Sequence, residues 1–194
     1  MAEEIEVKIL NIKKDEIEKK LEAIGAIKGE EKLFKSISFD FPGLRLDNDA
    51  SWVRLRDEGE RITLAYKKRI GMKTDGGNDK GMEEIEVEVS DYEKTAEVLR
   101  KLGMIEKFSQ EKKRTTWVKD TVHFDIDTWP RLDPYLEIEA DSWEAVDNAI
   151  VELGLRIDDK KMFSATQVYK MAGINDKDYI KMTFDEFVKR EPHA

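Results

Sequence analysis

Charged and apolar residues alternate along much of this chain. In Glu4-Ile5-Glu6-Val7-Lys8-Ile9-Leu10 the charged positions recur with period two, which puts Glu4, Glu6 and Lys8 on one face of a strand and Ile5, Val7 and Ile9 on the other. The same alternation marks Ser36–Phe41, Trp52–Arg56, Ile62–Lys67 and Glu84–Val89. It returns less strictly in Lys112–Val118, Val122–Asp127 and Tyr135–Glu139. Eight such segments predict a sheet-dominated fold. Apolar residues at three- and four-residue spacing predict helices over 14–24, 91–102, 142–153 and 164–172. A last helix is predicted for the tail, because Thr183-Phe184-Asp185-Glu186 has the capping-box pattern in which Thr183 and Glu186 satisfy each other's orphan amides. Two polar loops, 42–50 and 71–82, join strand patterns, and no linker or composition shift divides the chain.

An internal repeat runs through these elements. Glu4-Ile5-Glu6, Glu84-Ile85-Glu86 and Glu137-Ile138-Glu139 are each followed by a helix pattern and then by an apolar residue and glycine, Gly25, Gly103 and Gly154. Each glycine is expected to supply the left-handed residue just past a helix end.

Composition narrows the chemistry. The 194 residues hold 34 Lys+Arg, 43 Asp+Glu, two His and no Cys, for a net charge of −9. Without Cys there are no disulfides, thiol nucleophiles or Cys-ligated metals, and His123 and His193 are too isolated for an imidazole-based metal site. The acidity argues against non-specific nucleic-acid binding, which needs a basic face. No apolar run approaches the roughly 20 residues of a membrane span. The opening MAEEIEVK is too acidic for a signal peptide, so a soluble, cytoplasmic protein is expected. Nearly every strand nonetheless has a charged face, including Arg54/Arg56, Lys112/Arg114 and Asp125/Asp127. Solvent exposure would account for any one of them. The whole set is better accommodated by an α+β fold in which a closed antiparallel eight-stranded β-barrel, with helices packed outside, encloses the charge.

Glu4-x-Glu6-x-Lys8 resembles the ExExK signature of the CYTH superfamily, the triphosphate tunnel metalloenzymes, which includes class IV adenylyl cyclases, thiamine triphosphatase and inorganic triphosphatases. The supporting pieces follow in the family's order: Arg54-x-Arg56, Lys67, Glu84-x-Glu86, Lys112-x-Arg114, Asp127 and Glu137-x-Glu139. Ile126-Asp127-Thr128-Trp129-Pro130 running on to Pro134–Glu139 is similar to the family's second diagnostic segment, and Val168-Tyr169-Lys170 with Gly173-Ile174 adds to it. The likeness spans about residues 3–175 and sets off 176–194 as a C-terminal helical extension.

The resemblance implies a divalent metal, Mg²⁺ or Mn²⁺, held by oxygen ligands from Glu4, Glu6, Glu86, Asp127, Glu137 and Glu139. Asp125 shares a face with Asp127, while Glu84 and Glu88 share the parity of Glu86 and stay open for its position. The implied triphosphate clamp is Lys8, Arg54, Arg56, Lys67, Lys112 and Arg114, with Lys113 able to trade places with Lys112. Glu4, Glu6, Lys8, Asp127, Glu137 and Glu139 form the implied catalytic set, and Lys160 or Lys161 would close the tunnel. Arg61, Lys68 and Arg69 are read as solvated.

Three functions compete. The favoured one is a metal-dependent phosphohydrolase on inorganic, nucleoside or thiamine triphosphate. An adenylyl cyclase making cyclic AMP and pyrophosphate from ATP needs the same clamp, and a non-catalytic polyphosphate- or nucleotide-binding module is disfavoured by so many carboxylates. The partner expected is a triphosphate-containing small molecule rather than nucleic acid or membrane, with a homodimer left open. The loop 71–82 lacks the spacing of a P-loop or an EF-hand, and stands as a candidate lid or a plain hairpin connection.

Overall fold

The computed structural model describes residues 5–70 and 82–191, so Glu4 and nearly all of the 71–82 loop lie outside the described residues. The chain divides into two compact units, residues 1–33 with 112–176 and residues 34–111 with 177–194. Two long strands, β2 (Ile27–Asp40) and β6 (Ile105–Lys119), belong to both.

In the first unit β1 (Ile5–Ile9), β7 (Val122–Thr128), β8 (Tyr135–Ala140) and the two-residue β9 (Lys160–Lys161) join β2 and β6 in the order β2-β6-β7-β8-β1-β9. Helices α1 (Lys14–Ala23) and α4 (Trp143–Glu152) cover one face of this sheet. Val7, Ile9, Trp117, Phe124, Ile126, Leu136 and Ile138 meet Ile17 and Leu21 of α1 and Val146 and Ile150 of α4 in a dry core. These strand residues are the apolar half of the alternation, so burying them commits the charged half to the opposite face.

The second unit repeats the arrangement. β3 (Ser51–Asp57), β4 (Ile62–Arg69) and β5 (Met82–Glu88) follow β2 in the order β5-β4-β3-β2, with the short helix α2 (Arg45–Asn48) before β3. Ile37, Phe39 and Leu55 pack with Ala96 and Leu99 of α3 (Tyr92–Lys101).

The glycine stops behave as expected: Gly25, Gly103 and Gly154 follow α1, α3 and α4 with φ of 79°, 87° and 63°. After α1 the amides of Gly25 and Ala26 donate to the carbonyls of Glu22 and Leu21, the paired bonds that close a helix through a left-handed residue. Helix α5 (Ala165–Met171) starts with a capping box between Ser164 and Gln167.

Two expectations are corrected. The tail is not helical but a hairpin of β10 (Tyr179–Met182) and β11 (Phe187–Lys189), with β10 parallel to β6. Thr183 and Glu186 do bond reciprocally, but the amide of Thr183 donates to the Glu186 carbonyl, which closes a turn instead of opening a helix. The sheet is mostly antiparallel and flanked by helices, yet it carries eleven strands and no ring closes among the described residues. β5 and β9 end the hydrogen-bonded path, and β9 is too short to carry a closing ladder. No helix among the described residues is long and apolar enough to cross a membrane.

Candidate functional site

The ladders of the first unit assemble the charged residues in rows. Lys8 lies opposite Glu137, Glu137 opposite Asp125, and Asp125 opposite Thr116. The next rows are Glu6–Glu139–His123 and Tyr135–Asp127–Arg114. Residues directly opposed in a ladder share a face, so all of these leave the sheet on the side away from α1 and α4.

That face is charged yet largely closed to solvent. Asp127 is fully buried, and Lys8, Asp125 and Glu137 are each 6% exposed. Arg114 organises them. Its Nε and Nη2 donate to the two oxygens of Asp127 at 2.6 and 2.7 Å, Nη1 reaches Asp125 at 2.5 Å, and Nη2 also bonds Glu137. Lys112 donates to Asp127 at 2.9 Å, Lys8 pairs with Glu137 at 2.9 Å and with Glu6, and the Thr116 hydroxyl donates to Asp125. Bidentate guanidinium geometry suits this load, because a planar fork satisfies several acceptors at once.

The electrostatics follow from burial set against pairing. Burial would raise the Asp127 carboxyl, but the bonds and charges of Arg114 and Lys112 outweigh it and hold that group below the usual carboxylate range. Glu137 goes the other way: burial, then the Asp127 charge, raises it despite Arg114, Lys112 and Lys8. Burial would lower the Lys8 ammonium, but Glu137 and Glu6 carry it above its ordinary value. Lys112, where burial prevails over the pull of Asp127, is lowered.

Aromatic groups border this cluster. The Lys112 ammonium lies 5.5 Å from the centre of the Trp129 ring, against whose edge Tyr169 packs at 6.2 Å. Burial, then Glu137 and Asp127, pushes the Tyr135 hydroxyl far up, against a smaller opposing pull from the nearby Trp129 indole N–H. Neither Trp129 Nε1 nor Tyr135 Oη completes a hydrogen bond among the described residues.

The second unit has its own charged face. Ser38, Arg54, Ala65 and Glu86 form one row, Ser36, Arg56, Thr63 and Glu88 the next, and Trp52, Lys67 and Glu84 a third. Lys67 pairs with Glu84 at 2.8 Å and Arg56 with Glu58 at 2.8 Å. Arg54 stands 3.7 Å from Glu84 and 3.6 Å from Glu86. Burial, then the neighbouring Arg56 charge, brings Arg54 down to about 10. Arg61 is exposed and donates to Glu86 at 3.3 Å.

The sequence-derived residues are therefore brought together in two groups: Glu6, Lys8, Lys112, Arg114, Asp127, Glu137 and Glu139 on the first unit, and Arg54, Arg56, Lys67 and Glu86 on the second. Register also separates the two tail lysines. Lys161 lies opposite Lys8 and so belongs to the charged face, whereas Lys160 pairs with Asp147 and stacks on Trp143, both of α4. Asp125, Tyr135 and Trp129 are the residues that pattern reading left out of the site. Asp125 was legible from its parity with Asp127, whereas the two aromatics carry no mark that separates them from core residues.

The donor set suits a hard divalent cation, since it offers only carboxylate oxygens in a buried setting. Among the described residues, however, no three acidic groups form a ready cage, because Arg114, Lys8 and Lys112 occupy their oxygens.

A family model described as the CYTH domain matches residues 2–178. Over 136 residues the chain is 29% identical to a candidate adenylate cyclase of Methanocaldococcus jannaschii, covering 70% of this chain and 75% of that one. Among solved structures it resembles a candidate adenylate cyclase of Vibrio parahaemolyticus (TM-score 0.66, 14% identity, 86% of this chain and 97% of that one). It also resembles a Hippeastrum candidate adenylyl cyclase with a dominant triphosphatase activity (TM-score 0.59, 16% identity, 87% and 95%).

Proposed function

We propose, from the premise that the chain belongs to the CYTH domain family, that it is a divalent-metal-dependent phosphohydrolase acting on a triphosphate-containing small molecule. The observation that carries this reading is the first unit's charged face, on which Lys8, Lys112 and Arg114 interleave with the buried Asp125, Asp127 and Glu137, with Glu6 at its exposed end. Burying that many charges is costly, and replacing them with apolar residues would stabilise the fold more cheaply. A face kept charged at such expense is suited to a ligand that is itself densely charged.

The roles divide by chemistry. Glu6, Asp127, Glu137 and Glu139, with Glu4 and Asp125 beside them in parity, would hold Mg²⁺ or Mn²⁺; the ion supplies charge neutralisation on phosphoryl oxygens and a nucleophile at neutral pH. Lys8, Lys112 and Arg114 bind phosphate oxygens and keep the transferring group in line with its leaving group, the guanidinium giving bidentate contact. On the second unit Arg54, Arg56 and Lys67 are proposed as further phosphate-binding cations, with Glu86 a carboxylate that holds Arg54 in place until ligand arrives. Lys161, on the charged parity beside Lys8, is the preferred closing lysine.

A second reading, adenylyl cyclase, is favoured by the name of the Methanocaldococcus jannaschii relative. There the ribose 3′-hydroxyl of ATP attacks the α-phosphorus and pyrophosphate leaves. Incubation with ATP, GTP, thiamine triphosphate and tripolyphosphate plus Mg²⁺ or Mn²⁺, resolved by phosphorus NMR, separates the two. Orthophosphate from a terminal position supports the hydrolase, and cyclic nucleotide with pyrophosphate selects the cyclase. Glu137→Gln should abolish turnover; full activity in that variant removes Glu137 from the metal set.

A further inference from the structure

Two polar groups on the first unit are buried without completing a hydrogen bond among the described residues. Tyr135 is 1% exposed and Trp129 8%, yet Tyr135 Oη and Trp129 Nε1 complete no hydrogen bond among the described residues. Folded proteins rarely leave such groups unpaired, because each has given up its water for nothing. Their placement is not that of stray core aromatics. Tyr135 lies opposite Asp127 in the β7–β8 ladder, in the same row as Arg114, so its side chain leaves the sheet on the charged face. Trp129 follows β7 directly and is held from two sides: the edge of Tyr169 packs on it, and the Lys112 ammonium lies over its ring. Tyr169 is itself anchored, since its hydroxyl donates to the Pro130 carbonyl at 3.1 Å.

The three tyrosine and tryptophan polar atoms thus fall into two kinds. The Tyr169 hydroxyl has a partner within the fold; among the described residues Tyr135 Oη and Trp129 Nε1 complete no hydrogen bond, although the indole N–H lies near enough to the phenol oxygen to act on it. An indole N–H can only donate, and a buried phenol keeps its proton and donates as well. Two fixed donors beside a lysine and an arginine call for an acceptor oxygen that bears negative charge. Resting on the triphosphate reading above, we infer that Tyr135 Oη and Trp129 Nε1 form a donor pair for a phosphoryl oxygen of the bound polyphosphate, on the Lys112 side of the charged face. They position that phosphoryl group and make no covalent step.

This assignment has an unusual signature. A hydroxyl that waits for ligand costs the ligand-free protein stability, so Tyr135→Phe should make the protein more stable and bind worse. The melting midpoint of ligand-free Tyr135→Phe is expected to rise by about 2–6 °C. Its affinity for tripolyphosphate without added metal, by titration calorimetry, is expected to fall about tenfold. Tyr169→Phe supplies the contrast, because its hydroxyl is already satisfied and its loss should lower the midpoint. Wild-type affinity retained in Tyr135→Phe overturns the inference while leaving the triphosphate reading intact. So does a fall in the Tyr135→Phe midpoint, which would mean that the hydroxyl has a structural partner. Failure of the wild-type protein to bind tripolyphosphate overturns both.

Discussion

Asp127→Asn offers the sharpest check on the energetics of the charged face. The side chain is fully buried and accepts from Arg114 at 2.6 and 2.7 Å and from Lys112 at 2.9 Å. The amide keeps one acceptor oxygen but turns an NH₂ toward two cations, which then lie buried with their shared anion gone. Breaking a buried pair from one side costs about 3–5 kcal/mol, and the retained acceptor argues for the lower end. For a chain of this length about 3 kcal/mol corresponds to a melting midpoint lower by roughly 6–12 °C. Thermal unfolding followed by circular dichroism at pH 7 measures it directly. The pH dependence carries a second check. Because Asp127 is held below its unfolded value in the fold, its contribution is full above about pH 3.9 and is lost as pH falls through the depressed folded-state value. The gap between wild type and Asp127→Asn should therefore close in acid. Arg114→Met combined with Asp127→Asn should cost less than the sum of the singles. A midpoint within about 2 °C of wild type, or singles that simply add, would refute the reasoning.

Lys8→Met tests the other sign. Although burial opposes it, Glu137 and Glu6 raise Lys8 above its unfolded value, so its contribution is complete below about pH 10.4 and lost as pH climbs through the folded value. Denaturant titrations of the metal-free protein should show the wild-type advantage holding to about pH 10 and shrinking above it; an advantage that grows there contradicts the assignment. Arg56→Ala should weaken tripolyphosphate binding about tenfold by calorimetry, the worth of a charged hydrogen bond, and unchanged affinity would remove Arg56 from the anion-binding set.

How much of this was legible depended on whether a residue's burial left a trace in the pattern. Ile5-Glu6-Val7-Lys8-Ile9 and Leu136-Glu137-Ile138-Glu139 alternate because one face packs on α1 and α4, and that constraint is written into every second letter. The first part of β2, from Ile27 to Glu31, is exposed along its length, so nothing disciplined its letters into alternation and the strand read as beginning at Ser36. β9 is two lysines, too short a run to show any alternation, paired antiparallel with β1. The tail misled for a different reason. Threonine and glutamate three apart satisfy the same local bonding in a hairpin turn as at a helix start, and the parallel pairing of β10 with β6 decided between them. Within the site, charge identified Arg114 and Asp127. Tyr135 and Trp129 became visible only when the geometry showed which of their polar atoms complete no hydrogen bond among the described residues.

The edge strand β5 has a consequence of its own. Ile85 and Val87 are 60% and 53% exposed, on a strand whose outer backbone groups have no ladder among the described residues. Such an edge invites another copy to add on, and an apolar stripe rewards it. Glu83, Glu84, Glu86 and Glu88 crowd the same strand, so two copies brought edge to edge would set carboxylate against carboxylate. The glutamates thus act as a guard against self-association, and the strand that carries the apolar stripe also carries the charge that keeps a second copy away.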